Sequence, residues 1–299
     1  MNVVIERHRG HGLELSVHRY RDDAARPRGI TALLVHGFMD AGGTWEDVAG
    51  PLAAQGIDVW APDMRGFGQS DRVGPGGYYH FPDYLSDVDA LVHGAMASPK
   101  HLVLVGHSMG GTVCSLYAGS RPDAVERLVL LEGIGPPATA PEIGPVRMRR
   151  WLDQLREGAG GRPPASRDDA LRRLAAVHSR VDRAVLERKV EHLVTERDGT
   201  LSWAYDALHR TTAPYRFDAD AFRCFLREVR CPTLFIGGGS AGFHPPDEAE
   251  RLQMLGGSVE SLDLPDAGHM MHWTRPSEVA DAIVRFALAS GLPPTPNSG

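Results

Sequence analysis

Cysteine is scarce in this chain: Cys114, Cys224 and Cys231 are the only three in 299 residues, and none forms a C-x-x-C pair. An odd count without that spacing fits neither a disulfide framework nor a structural zinc site, so the thiols read as reduced and structural. Long apolar runs are missing too. No stretch reaches the roughly 18 residues that read as a membrane span. The start, Asn2-Val3-Val4-Ile5-Glu6-Arg7-His8, lacks the basic segment and apolar run of a secretion signal. The expectation is a soluble cytoplasmic protein without a membrane partner. Basic tracts are absent as well: the formal net charge is −6 with arginines and acids interspersed, which removes the electrostatic footprint of a nucleic-acid binder. No internal repeat is visible.

What is present is a regular alternation. Short, largely apolar segments at Leu13–Tyr20, Thr31–Val35, Ile57–Trp60, Leu102–Val105, Leu128–Glu132, Thr233–Ile236 and Val259–Leu262 read as strands, several of them covered on both faces. Helical patterns near 45–54, 84–97, 110–119 and 277–289 fall between them, which predicts an α/β protein with a doubly wound, mostly parallel sheet. From about Pro136 to Tyr215 the alternation stops. No strand pattern appears there, whereas Val181, Val185, Val190 and Leu193 recur at helical spacing between the breakers Gly135-Pro136-Pro137 and Ala213-Pro214. The expected organisation is a core of residues 1–135 and 216–290, a helical cap at 136–215 lying over the sheet as a lid, and a disordered tail at 291–299. The insertion's arginines, including Arg147, Arg149, Arg150, Arg172 and Arg173, read as a solvated helix face.

The most informative segment is Leu102-Val103-Leu104-Val105-Gly106-His107-Ser108-Met109-Gly110-Gly111: a buried strand, a Gly-x-Ser-x-Gly turn, then a helix. A serine presented on so sharp a turn needs glycines two residues away on each side, so that strand and helix backbones approach closely. Ser108 is therefore the candidate nucleophile. Gly238-Gly239-Ser240-Ala241-Gly242 matches the same pattern, but Ser240 leads into Phe243-His244-Pro245-Pro246, which cannot continue as a helix.

Four motifs, His36-Gly37-Phe38 after a strand, Asp63-Met64-Arg65-Gly66-Phe67-Gly68-Gln69-Ser70, Gly106-His107-Ser108-Met109-Gly110 and Gly268-His269 near the end, stand in an order and spacing that resembles the α/β-hydrolase family. The resemblance covers nearly the whole chain and implies an α/β-hydrolase fold with a Ser–His–acid triad. A serine hydroxyl is a poor nucleophile at neutral pH, so a histidine must take its proton and a carboxylate must orient that histidine. By the family's chain order the base is His269; His272 and His36 read as packing and structural histidines, and His107 lies inside the elbow. The acid departs from the commonest family pattern, because Ser240 stands where an aspartate follows the seventh strand. A smaller branch places the acid after the sixth strand, where Leu130-Leu131-Glu132-Gly133 ends an apolar run with a carboxylate that is costly to bury unpaired. Glu132 is the leading acid and Asp247 the runner-up, since a loop could carry it toward His269. The oxyanion hole falls to the backbone N–H groups of Phe38 and Met109.

The resemblance implies a serine hydrolase of carboxylic esters or lactones working through an acyl-enzyme, with a small-molecule substrate, no metal and no organic cofactor. Haloalkane dehalogenases and epoxide hydrolases share the fold but use an aspartate where Ser108 stands. Carbon–carbon bond hydrolysis and acyl transfer can use the same triad, and a ligand receptor that kept the fold is the reading from a different class. Trp151, Leu155, Trp203, Tyr205 and Leu208 are the candidate pocket walls.

Overall fold

The computed structural model describes residues 2–289 other than 159 and 198, so the tail expected to be disordered lies outside the described residues. In chain order the strands are β1 (Asn2–Gly10), β2 (Leu13–Arg21), β3 (Ile30–Val35), β4 (Asp58–Pro62), β5 (His101–His107), β6 (Arg127–Leu131), β7 (Val194–Arg197), β8 (Thr200–Trp203), β9 (Thr233–Gly237) and β10 (Val259–Asp263). All but β7 and β8 join one eight-stranded sheet in the order β1-β2-β4-β3-β5-β6-β9-β10. The β1–β2 and β2–β4 pairs are antiparallel and the remaining pairs are parallel. The α-helices are α1 (Glu46–Ala54), α2 (Phe81–Ala90), α3 (Met109–Ser120), α4 (Gly144–Glu157), α5 (Arg167–Val177), α6 (Arg183–Leu193), α7 (Ala219–Glu228), α8 (Glu248–Met254), α9 (Met271–Thr274) and α10 (Pro276–Leu288).

Side-chain alternation along the apolar strands feeds two cores. Leu33, Val35, Leu104, Leu128 and Leu130 point to the face covered by Val88 of α2, Val113 of α3 and Phe222 and Leu226 of α7. Ala32, Leu34, Val103, Val105, Val129 and Leu131 point to the other, against Val48 and Leu52 of α1 and Val279, Ile283 and Phe286 of α10. Each large aliphatic or aromatic side chain buried this way contributes roughly 1.5–3 kcal/mol, so both layers are held firmly to the sheet.

Two elements differ from the sequence expectation. The edge strand β1 was not among the expected strands because both its faces carry polar residues, and Val3, Val4 and Ile5 remain exposed; pairing with β2 over nine positions forms it. The segment between Pro136 and Tyr215, expected to be wholly helical, contains the antiparallel β7–β8 hairpin. The β-branched Val194, Thr195 and Thr200 favour strand there, and Gly199 supplies a left-handed φ of 71° between the two runs.

Helices α5 and α6 bury Leu171, Leu174, Leu186, Val190 and Leu193 in a third cluster that also takes in Ala41 and Trp273. It is pinned to the sheet layer by charge. Lys189, fully buried, donates to Glu46 (3.1 Å) and Asp47 (2.7 Å) at the start of α1, and Arg188 reaches Asp47 at 3.0 Å. The cluster therefore sits over residues adjacent to the loops that follow β3 and β10.

Candidate active site

Backbone strain marks one edge of the sheet. The non-glycine residues with a left-handed φ include Met39 (58°), Ser108 (52°), Glu132 (46°) and Asp266 (61°), which stand on the loops leaving β3, β5, β6 and β10. Such conformations cost on the order of 1–3 kcal/mol each and persist where surrounding contacts over-determine them. The carboxyl ends of parallel strands are also where open α/β sheets place their ligands.

At the elbow, β5 runs through Gly106 and His107 into Ser108, and α3 begins at Met109. A Cβ on Gly106 would lie 2.5 Å from the Gly110 carbonyl oxygen, and one on Gly110 would strike the Val35 carbonyl. Only glycines permit this approach of strand, turn and helix. The Ser108 N–H donates to the Leu131 carbonyl at 3.0 Å, which ties the turn to the end of β6, one residue before Glu132.

Glu132 is 3 % exposed, and its carboxylate is fully engaged. Oε1 accepts from the Gly238 N–H at 2.6 Å, Oε2 accepts from the Phe243 N–H at 2.6 Å, and His269 Nδ1 donates to Oε2 at 2.7 Å. Burial pushes the carboxyl's pKa up, but the His269 imidazole and the two backbone donors outweigh it and hold the group below the ordinary carboxylate value. With Nδ1–H committed to Glu132, the lone pair of a neutral His269 is on Nε2, the nitrogen a base needs. The loop carrying His269 is drawn to the elbow by its backbone, whose carbonyl accepts from His107 Nε2 at 2.8 Å. It is drawn to the loop after β9 by the bond from the Gly268 N–H to the Gly238 carbonyl (2.9 Å).

The other sequence candidates fall outside this cluster or support it. Asp247 faces away from His269 into a pair of arginines, Arg223 (2.7 Å) and the fully buried Arg251 (2.9 Å). Ser240 is exposed in a short 3-10 turn, Gly239–Ala241. His36 is buried, its Nδ1 donating to the Gly37 carbonyl (2.7 Å) and its Nε2 accepting from the Met64 N–H (3.0 Å), so it fixes the loop that bears Phe38. Phe38 is half-exposed and edge-on to Phe67 and His209. Trp151, Leu155 and Leu208 line a cavity of about 710 Å³ between α4 and residues 73–80, whereas Trp203 and Tyr205 stack on each other.

Sequence reasoning missed a buried polar layer beneath the site. Asp40 accepts from the Ala41 N–H (2.8 Å) and Thr44 Oγ1 (2.7 Å) through one oxygen and from His272 Nε2 (3.2 Å) through the other. Asp40, His107 and His272 each bring a potential metal-ligand atom within 4.8 Å of the other two. The set fits a metal poorly. Both Asp40 oxygens, His107 Nε2 and His272 Nε2 are already hydrogen-bonded, which leaves the two buried Nδ1 atoms of His107 and His272 and no free carboxylate oxygen for an ion. Burial and neighbouring histidines hold the His107 imidazole well below its ordinary pKa, and therefore neutral. The layer thus joins the loop after β3, the elbow and the histidine loop, with the Asp40 carboxylate, held below its ordinary pKa, against neutral imidazoles. The missed signal was the post-strand position of Asp40, two residues after Phe38.

Known proteins resemble this chain over most of its length. The chain is 29 % identical to Lipase LipV of Mycobacterium tuberculosis over 290 residues, covering 92 % of this chain and 98 % of the relative. It is 27 % identical to the sn-1-specific diacylglycerol lipase ABHD11 of Danio rerio over 264 residues, covering 85 % and 77 %. Among solved structures, a hypothetical protein of Pseudomonas aeruginosa superposes with a TM-score of 0.79 at 25 % identity, over 95 % of this chain and 98 % of the other. A model of the alpha/beta hydrolase fold matches residues 32–276, and the chain belongs to that family.

Proposed function

We propose that this protein is a serine hydrolase that cleaves a carboxylic ester or lactone through an acyl-enzyme, with Ser108 as nucleophile, His269 as base and Glu132 as the acid that orients it. Ser108 Oγ attacks the acyl carbon while His269 Nε2 takes its proton; Glu132 stabilises the imidazolium that forms. The Phe38 and Met109 amides receive the oxyanion, each such donor being worth roughly 100- to 1000-fold in rate. Collapse expels the alkoxide, which leaves with the proton from His269. Water then repeats the sequence and releases the acid. Residues 136–215 act as a cap.

The observation that carries the reading is the hydrogen bond between His269 Nδ1 and Glu132 Oε2 at 2.7 Å, beside a serine held at a φ of 52°. The lipase relatives support ester substrates. The test is hydrolysis of a short-chain p-nitrophenyl ester at neutral pH by wild type and Ser108→Ala. Turnover abolished by the substitution supports a serine esterase; equal turnover in the two proteins refutes it.

A further inference from the structure

The carboxylate that orients His269 faces a second histidine. His244 follows the Gly239–Ala241 turn, and its Nε2 lies 3.0 Å from the Gly239 carbonyl and 3.6 Å from Glu132 Oε1. Its Nδ1 lies 3.0 Å from both oxygens of Glu248 on α8. A carbonyl only accepts, so Nε2 carries a hydrogen; burial and Glu132 push the Glu248 carboxyl's pKa up while His244 opposes them, and as a carboxylate Glu248 only accepts, so Nδ1 carries one as well. A ring that donates from both nitrogens is an imidazolium. The two oxygens of Glu132 are thereby divided, Oε2 toward His269 and Oε1 toward His244.

We propose that His244 is a charged positioning residue that acts through Glu132 on the balance between neutral and charged His269. The proposal rests on the triad reading above. The electrostatics have a definite sign. A cation on the far side of Glu132 competes with the imidazolium that His269 forms when it takes the serine proton. It therefore opposes charge on the His269 ring. The same ring anchors the turn that presents the Phe243 N–H to Glu132.

The groups facing His244 are Glu132 from the end of β6, Glu248 from α8 and, through the Gly239 N–H it accepts at 3.0 Å, Asp263 from β10. All are acids. Burial works against a charge on the ring, but the Gly239 carbonyl, Glu248 and Glu132 outweigh it and raise the imidazole above its ordinary pKa. A Cβ on Gly242 would collide with Glu132 Oε1, so the chain keeps this approach open with glycine.

The test needs no substrate. Imidazole ring signals from ¹⁵N-labelled full-length protein report protonation of His244 and His269 directly. At pH 7 wild-type His244 is expected to be doubly protonated. In His244→Gln and in Glu248→Gln, which removes the partner that stabilises the charge, His269 is expected to titrate higher than in wild type by roughly half a pH unit or more. The acid limb of kcat/KM for the p-nitrophenyl ester should move up by the same amount. A neutral His244 in wild type at pH 7 overturns the proposal, and that measurement stands even if a variant fails to fold. So does a titration of His269 unchanged in both variants with kcat alone reduced, the signature of a purely structural role. If no ester is hydrolysed, the enzymatic reading fails while the ring titrations still decide the coupling.

Discussion

Glu132 and His269 are 137 residues apart in the chain and meet at 2.7 Å, Oε2 to Nδ1, with the carboxylate's remaining capacity taken by backbone N–H groups of the loop after β9. Glu132→Gln keeps the shape and removes the charge. The substitution should leave the circular dichroism spectrum unchanged and lower kcat for ester hydrolysis by about 10⁴-fold, the scale seen when a triad acid becomes an amide. A variant within tenfold of wild type would remove Glu132 from the triad.

Asp247 provides the control. Its partners are Arg223 and Arg251 rather than His269. Asp247→Asn should leave kcat within about threefold of wild type while lowering stability by about 1–2 kcal/mol in urea unfolding, because the buried Arg251 loses a charged partner. Loss of turnover without loss of stability would reverse the assignment of the acid.

The contact between α1 and α6 carries a pH dependence. Burial pushes Glu46 up, but its bonds with His192 and Lys189 prevail and hold its pKa at about 2, against 4.5 unperturbed. A depressed carboxylate stabilises the fold above its unfolded value, and the contribution is lost as pH falls toward the folded one. Glu46→Gln should therefore be less stable than wild type at pH 5, where both partners of Glu46 can carry charge. The margin should narrow below about pH 4.5. Urea midpoints across that range check it, and a margin that widens on acidification would contradict the ion-pair account.

The legible parts of the molecule were those whose physics is local. Ser108 stood out because a serine between glycines at two-residue spacing, with an apolar strand before and a helix after, has few other uses. Glu132 stood out because a carboxylate ending the run Arg127–Leu131 has to find a partner. What stayed hidden depends on neighbours distant in sequence. The strand β1 exists by pairing with β2 and carries no one-sided apolar pattern. The β7–β8 hairpin is four residues per strand, too short for periodicity to speak. Asp40 and His244 each need a partner distant in sequence, His272 and Glu132 respectively, before their chemistry appears.

The most direct test of the account is to acylate the protein with p-nitrophenyl acetate, quench in acid during turnover and map the adduct by peptide mass spectrometry. The account predicts a gain of one acetyl group confined to the peptide containing Ser108 and absent from Ser108→Ala. Steady turnover with the acetyl group on another residue, or with none trapped under any quench time, would contradict it.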